Sequence, residues 1–481
     1  MNLNDWKIIY TRFEGITQRA ISLLSKEIGG YMLRELGVYR ILVLPCEKEG
    51  CEMTKNAFLV SRYQDSTIIP KFVSKEEVPE NGYLVKVVKN PADEENGRLV
   101  ILTSFEDEGV LNAVVSFIDD YIFQYAPFIG SNLMPDQIFD SPLTECSYSE
   151  VPDNKIRSIF TWGHSFNDYR NYIENMARMR YNELILWNDY IPLNIDEIID
   201  YAHSFGIKVV LGYSWGWKEI GNKAAEITEE KINEVKNIAI TEYINNYSRV
   251  KCDGIYFQSF TERQEESVGG KLISRLVVDM VNEIADKIWE ISPELRIIFG
   301  LHATSVRNRL DEIALVDPRM EIMWEDCGEF PFSYSSRVKD MDEYYNTLEF
   351  LKKILALRGG RGVGFLFKGV MMLDWSKVVR QSGPYVMGEN SARIAEHDRM
   401  IRAKAWKSYA ASWMISGKYA LQTLQFIKEN KLLDIDMGIA GTFDGGIYLP
   451  VALCGEMFRN CSDDFDAILK RTARRDCITV D

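Results

Sequence analysis

The sequence predicts an α/β protein in which a TIM-type (β/α)8 barrel, irregular at its eighth strand, follows a small α/β domain. Three observations carry this expectation. From residue 156 onward, short β runs alternate with polar turns and amphipathic helical stretches, the rhythm of parallel βα units. Seven such units fit between residues 157 and 391, and no glycine-rich dinucleotide fingerprint opens the first helix, which favours a closed barrel over an open doubly wound sheet. The chain's 481 residues also exceed what one hydrophobic core fills, so a second unit is expected.

The first 150 residues mix short β runs with helices. GVYRILVLP (37–45), NGYLVKVVK (81–89) and GRLVILTS (97–104) precede the helical DEGVLNAVVSFIDDYIFQY. Charges are dispersed there and no phosphate loop is present, so residues 1–150 are expected to form an α/β domain that scaffolds or docks. The Pro-, Ser- and Asp-rich stretch 131–154 is the expected crossing between domains. The barrel is assigned to 151–430, with β runs RSIFTW (157–162), ELILWN (183–188), KVVLGYS (208–214), GIYFQS (254–259), RIIFGL (296–301), EIMW (321–324) and GVGFLF (362–367). No eighth run stands out. Residues 391–430 look like one or two helices, and 431–481 like a tail packed on the barrel.

Hydrophobic residues at 46% and charged residues at 26% are ordinary globular values. A formal net charge of −15 sets nucleic acid and anionic membrane aside as partners. The first residues hold no basic region followed by an apolar run, and no later stretch reaches the roughly 18 apolar residues of a span. A cytoplasmic protein is expected. Eight cysteines lack CxxC pairs and have few histidines near them, so they are expected as reduced thiols, with redox chemistry at Cys46 and Cys51 the competing reading. No metal site or cofactor is expected, and a homodimer is compatible with the sequence.

In a barrel of this kind the active site lies at the C-terminal ends of the strands. Six of the ten tryptophans fall there: Trp162, Trp187, Trp215, Trp217, Trp324 and Trp375. Any one of them could be packing, but six together favour a surface on which a sugar ring stacks, with Asn188, Asp189 and Gln258 as hydroxyl partners. His164 and His302 follow the first and fifth β runs and suit neutral hydrogen bonding to substrate, whereas His203 and His397 lie on helices. Glu262, just past the fourth run, could be a proton donor beside aromatic walls, and Glu325 and Asp326 follow the sixth. Each of these acids could instead be an ordinary ion-pair partner, Glu262 with Arg263 for instance. A carboxylate pair across a sugar-binding cleft is the minimum for glycoside cleavage. Glu325 and Asp326 are adjacent on an extended chain and point to opposite sides, so only one of them faces a pocket easily. Lys368, with Asp374 and Trp375 beyond it, could bind a uronate carboxylate or orient an acid; a Schiff-base lysine is the competing chemistry.

An α/β domain carrying GYLVKVVK and LVILTSFEDEGVLNAVVSFIDDYIF ahead of a barrel resembles the layout of family 20 β-hexosaminidases and family 67 α-glucuronidases. The resemblance spans most of residues 30–370. In the hexosaminidases an adjacent Asp-Glu pair ends the fourth strand, the Glu donating a proton and the Asp steering the substrate's acetamide. This chain has Thr261-Glu262, so the resemblance carries the donor to Glu262 and leaves acetamide-assisted cleavage without its Asp. SFTE is similar to the loop bearing the lone acid of the α-glucuronidases. That resemblance implies that Glu325, Asp326 or Asp374 holds the water and that Lys368, His164 and His302 receive a uronate. The combined expectation is a glycoside hydrolase acting on a short oligosaccharide or glycoside, a uronide or N-acetylhexosaminide. The rivals are a non-catalytic carbohydrate-binding barrel and a Lys368-centred lyase or aldolase.

Overall fold

The structure is a computed structural model that describes residues 6–36, 42–45, 55–123, 143–161, 168–187, 190–220, 227–261, 265–302, 308–325, 341–370, 384–388, 392–430, 435–441 and 449–475. The chain forms two compact units. One comprises residues 1–152 with 203–206 and 470–481; the other comprises 153–202 with 207–469.

The first unit is built on a six-stranded mixed sheet of β1 (Trp6–Tyr10), β2 (Leu42–Pro45), β3 (Asn56–Arg62), β4 (Tyr83–Asn90), β5 (Asp93–Ser104) and β6 (Cys146–Glu150), in the order β2-β1-β3-β5-β4-β6. β4 runs antiparallel to both its neighbours, while the other pairs are parallel. Two helices, α1 (Gly15–Leu36) and α2 (Asp107–Phe117), complete it. Alternation along the strands splits the apolar residues between two faces. Ile9, Leu59, Leu84, Leu99 and Ile101 form one core with Ile69, Val73 and Val78, while Phe58 on the opposite face meets Trp6 and the Phe117 ring of α2.

The second unit is an eight-stranded closed barrel in which every pairing is parallel. Its strands are β7 (Arg157–Phe160), β8 (Glu183–Trp187), β9 (Lys208–Ser214) and β10 (Gly254–Gln258), then, after a small hairpin of β11 (Ser267–Val268) and β12 (Lys271–Leu272), β13 (Ile297–His302), β14 (Glu321–Glu325), β15 (Val363–Val370) and β16 (Asp436–Gly441). The seven expected β runs are all present. The eighth strand is β16, within the segment that the sequence suggests is a tail. DMGIAG has too little β-branched character to announce a strand. Its glycine is a packing requirement: a Cβ on Gly438 would lie 2.6 Å from the Leu366 side chain.

The helices are α3 (Tyr169–Arg178), α4 (Ile195–His203), α5 (Trp217–Ile220), α6 (Glu229–Glu242), α7 (Ile273–Ile291), α8 (Leu310–Ile313), α9 (Met341–Ala356), α10 (Ala392–Glu429), α11 (Leu449–Arg459) and α12 (Phe465–Arg475). α7 shows the logic of the outer layer: Ile273, Val277, Val281, Ile284 and Ile288 recur at helical spacing and are all buried. α10 is a single helix of 38 residues where the sequence allows one or two. No helix among the described residues is long and apolar enough to cross a membrane.

Each strand sends one side chain to a ring that fills the barrel: Phe160, Ile185, Val210, Tyr256, Ile298, Met323, Leu366 and Ala440. Below it, at the strand starts, the Arg296 guanidinium binds Glu183, Asp436 and Glu321, the last through Nε at 2.8 Å and Nη2 at 2.6 Å. Three carboxylates around one guanidinium leave excess negative charge in a buried place. Burial pushes the Asp436 and Glu183 carboxyls above the ordinary carboxylate range, against the opposing pull of Arg296.

Candidate active site

The strand period decides which residues reach the C-terminal mouth. Two positions beyond the filled ring, β10 turns Gln258 inward above Tyr256, and β14 turns Glu325 inward above Met323. Glu325 is 0% exposed. Its Oε1 accepts a hydrogen bond from the Tyr256 hydroxyl and one from Gln258 Nε2 at 2.5 Å. The acceptor and its two donors sit on strands separated by β13, and the crossing is open because β13 carries Gly300 there. A Cβ at position 300 would collide with the Tyr256 hydroxyl. The cradle is therefore made of four residues from three strands: Tyr256, Gln258, Gly300 and Glu325.

Trp187, at the end of β8, forms the adjoining wall. Its ring is half-buried and meets Tyr256 edge-on, with centroids 5.8 Å apart and planes at 84°. Its backbone N–H donates to Thr161 Oγ1 at 3.0 Å, tying β8 to the end of β7. Gly212 on β9 makes room for the indole, since a Cβ there would stand 2.6 Å from Trp187 Cε3. The result is a buried carboxylate with one oxygen held by a phenol and an amide, the phenol's ring in turn meeting Trp187 edge-on.

Several expected site residues are placed elsewhere. Trp215 is fully buried and stacks flat on Phe257, centroids 3.7 Å apart, and Phe257 in turn stacks on Phe299. Trp324 is buried too, edge-on to Phe350 of α9 at 5.0 Å and to Phe365 at 5.9 Å. Phe257, Phe299 and Trp324 lie one position out of phase with the inward residues, so both tryptophans belong to the layer outside the strands rather than to the pocket. Trp217, at the start of α5, is 39% exposed. His302 ends β13 in register with Glu325, and Lys368 lies on β15 opposite Ala440. Glu262, Asp326, His164, Asn188, Asp189, Asp374, Trp375 and Trp162 lie outside the described residues.

Tyr256, Thr161, Gly300 and Gly212 were not singled out by the sequence. A usable signal existed for Tyr256, which stands two residues before Gln258 in GIYFQS and so shares its face. Nothing in the sequence pairs it with residue 325. Among the described residues no group of three or more His, Cys, Asp or Glu could hold a metal ion, and Cys146, Cys252, Cys454 and Cys461 are free thiols.

No family model and no curated protein matches the chain. Solved structures do resemble it. A family GH115 4-O-methyl-α-glucuronidase, described as specific for decorated arabinogalactans, aligns with a TM-score of 0.54 at 11% identity, over 98% of this chain and 59% of its own. A family 89 glycoside hydrolase from Clostridium perfringens aligns at 0.45 and 11% identity, over 97% of this chain and 52% of its own. A family GH20 exo-β-N-acetylglucosaminidase from Vibrio harveyi aligns at 0.46 and 12% identity, over 97% and 72%. The chain thus spans 59% of the length of that α-glucuronidase and shares with it the fold of an α/β domain together with a (β/α)8 barrel.

Proposed function

We propose that the protein is a glycoside hydrolase whose pocket lies at the C-terminal mouth of the barrel, with Glu325 as one of its working carboxylates. The observation that carries this reading is the Glu325 cradle itself. A carboxylate fully removed from solvent is costly, and its hydrogen-bonded placement at a strand end is what a fixed catalytic group needs. Glu262 is the proposed general acid and Glu325 the second carboxylate, activating water or attacking the anomeric carbon; Asp326 and Asp374 are the alternatives for that second role. Lys368, His302 and His164 are the proposed partners of a uronate or hydroxyl groups, and Asn188, Asp189, Trp187 and Trp375 the proposed sugar contacts. The substrate is a uronide or N-acetylhexosaminide, the classes acted on by the proteins of similar fold named above.

The test is a panel of chromogenic glycosides, including glucuronides and N-acetylhexosaminides, applied to the wild type, Glu262→Gln and Glu325→Gln. Each substitution is isosteric and removes one ionisable group, so turnover should fall by at least a hundredfold while the melting temperature stays within a few degrees. Silence of the wild type across the whole panel, or full activity in both variants, would defeat the proposal.

A further inference from the structure

The segments after β8 and β9 display two large, partly exposed aromatic side chains. Tyr190 is 46% exposed and Trp217 39% exposed. Scattered exposed apolar residues are ordinary on any protein surface. These two are presented by segments whose backbones are tied down. The turn into α5 is fastened by Glu219, whose Oε2 accepts from Ser214 Oγ at 2.9 Å and from the Gly216 N–H at 3.0 Å, and Ser214 Oγ accepts from the Lys218 N–H at 2.9 Å. Gly216 has φ +103, a conformation that side-chain-bearing residues rarely adopt, and a Cβ there would lie 2.9 Å from the Phe260 ring. The turn thus fixes the backbone so that Trp215 is buried behind the strands and Trp217 is exposed.

The loop bearing Tyr190 is pinned in a similar way. Leu193 N–H donates to the Tyr385 carbonyl at 2.8 Å, and the Asn194 amide makes a reciprocal pair with the Met387 backbone, both bonds at 2.9 Å. The two displays are linked through Lys218, adjacent to Trp217, whose Nζ stands 5.9 Å from the centre of the Tyr190 ring. Both lie a few residues past inward-facing positions at the ends of β8 and β9. Tyr190 is three residues past Trp187, and Trp217 three past Ser214, the register partner of Gln258.

We infer that Trp217 and Tyr190 form a second sugar-binding platform at the mouth of the barrel, and therefore that the ligand is an oligosaccharide of at least two rings rather than a simple glycoside. The inference rests on the reading of the pocket as a carbohydrate site and extends it. A held indole offers a flat apolar face to the C–H face of a pyranose, and it loses little conformational freedom on binding because its backbone is already fixed. The Lys218 ammonium supplies a hydrogen-bond donor to ring hydroxyls or to a carboxylate substituent beside that face. A protein ligand fits less well: two aromatic side chains around a cation provide far less than the roughly 1,000 Å² of a specific protein interface.

The experiment is calorimetric titration of the full chain with two matched pairs of probes. One pair is glucuronic acid and a xylotetraose bearing a glucuronic acid branch; the other is N-acetylglucosamine and triacetylchitotriose. Wild type is compared with Trp217→Ala, Tyr190→Ala and Trp217→Phe. The expected result is that one oligosaccharide binds at least tenfold tighter than its monosaccharide, that Trp217→Ala abolishes this advantage, that Tyr190→Ala reduces it severalfold and that Trp217→Phe retains most of it. All three variants should melt with the wild type, because the replaced rings are not part of the core. Equal affinity of wild type for both members of each pair, no binding of any probe, or an oligosaccharide advantage that survives Trp217→Ala would overturn the inference. Its failure is separable from failure of the hydrolase proposal. Oligosaccharide binding that depends on Trp217 without any turnover sinks the hydrolase and leaves the platform standing, while turnover of aryl glycosides with no oligosaccharide advantage does the reverse.

Discussion

The Tyr256 hydroxyl donates to Oε1 of Glu325 across an intervening strand, and the path is open because β13 carries glycine at position 300. This relationship ties the ring of residues filling the barrel to the layer above it at the strand ends. Tyr256 belongs to that ring and Glu325 lies one layer above Met323 of the same ring, so the carboxylate is positioned by the barrel's own packing.

Tyr256→Phe keeps the ring and removes the donor. Hydrogen bonds to charged groups contribute about 1.5–3 kcal/mol, so kcat should fall about tenfold to a hundredfold if Glu325 is the group that reacts. A positioning role further requires KM to change little, which steady-state kinetics on the best substrate of the panel will show. A fall in melting temperature with unchanged kcat would assign Tyr256 to packing alone.

Gly300→Ala places a methyl group against the Tyr256 hydroxyl in a filled interior. Overpacking of this kind costs about 1–3 kcal/mol. The two positions are in contact, so they should couple: Tyr256→Phe in the Gly300→Ala background should recover part of the lost stability, measured by denaturant unfolding of the two single variants and the double variant. Strict additivity would mean that the alanine is accommodated by another movement.

Trp215 and Trp217 are two residues apart and should behave as opposites. Trp215→Ala removes an indole stacked at 3.7 Å on Phe257 and should cost about 3–5 kcal/mol of stability, seen as a lowered denaturation midpoint. Trp217→Ala should leave that midpoint unchanged, since its ring is exposed.

The floor of the barrel makes stability depend on pH in a definite direction. Asp436 and Glu183 are held above the ordinary carboxylate range by burial, so the folded state binds protons more tightly than the unfolded chain. Their contribution is fully present below the unfolded carboxylate values of about 4 and is lost progressively as pH rises through the higher folded values. The charges facing them are Arg296, Glu321 and Lys208. Asp436→Asn imitates the protonated acid, and it should flatten this decline and be tolerated at neutral pH. Arg296→Met removes the one guanidinium that all three carboxyl groups share and should destabilise by about 3–5 kcal/mol, as breaking a buried ion pair does. Urea denaturation between pH 5 and pH 8 checks both. An Asp436→Asn variant that unfolds more readily than wild type at pH 7 would show that the carboxyl is ionised there.

Much of the architecture was legible in the chain because it depends on local periodicity. Strands such as KVVLGYS and GIYFQS and helices such as Ile273–Ile291 declare themselves through apolar spacing, and seven barrel strands in succession leave few alternatives to closure. Alternation along EIMWE also sets Glu325 on the face of Met323. Three things were decided only by the assembled barrel. The eighth strand, DMGIAG, is a strand because β15 and β7 pair with its two edges, and Gly438 fits there because a side chain would meet Leu366 and Ser158; its own propensity is low. Trp215 and Trp324 turn away from the pocket because each is out of phase with the inward residues, and a local reading of strand ends counts tryptophans without resolving phase. Glu325 takes hydrogen bonds from Tyr256, 69 residues earlier, and from Gln258, and that pairing follows from the order in which closure sets β10, β13 and β14 side by side. Periodicity is a property of neighbouring residues, whereas the cradle around Glu325 is a property of strands brought together by long-range packing.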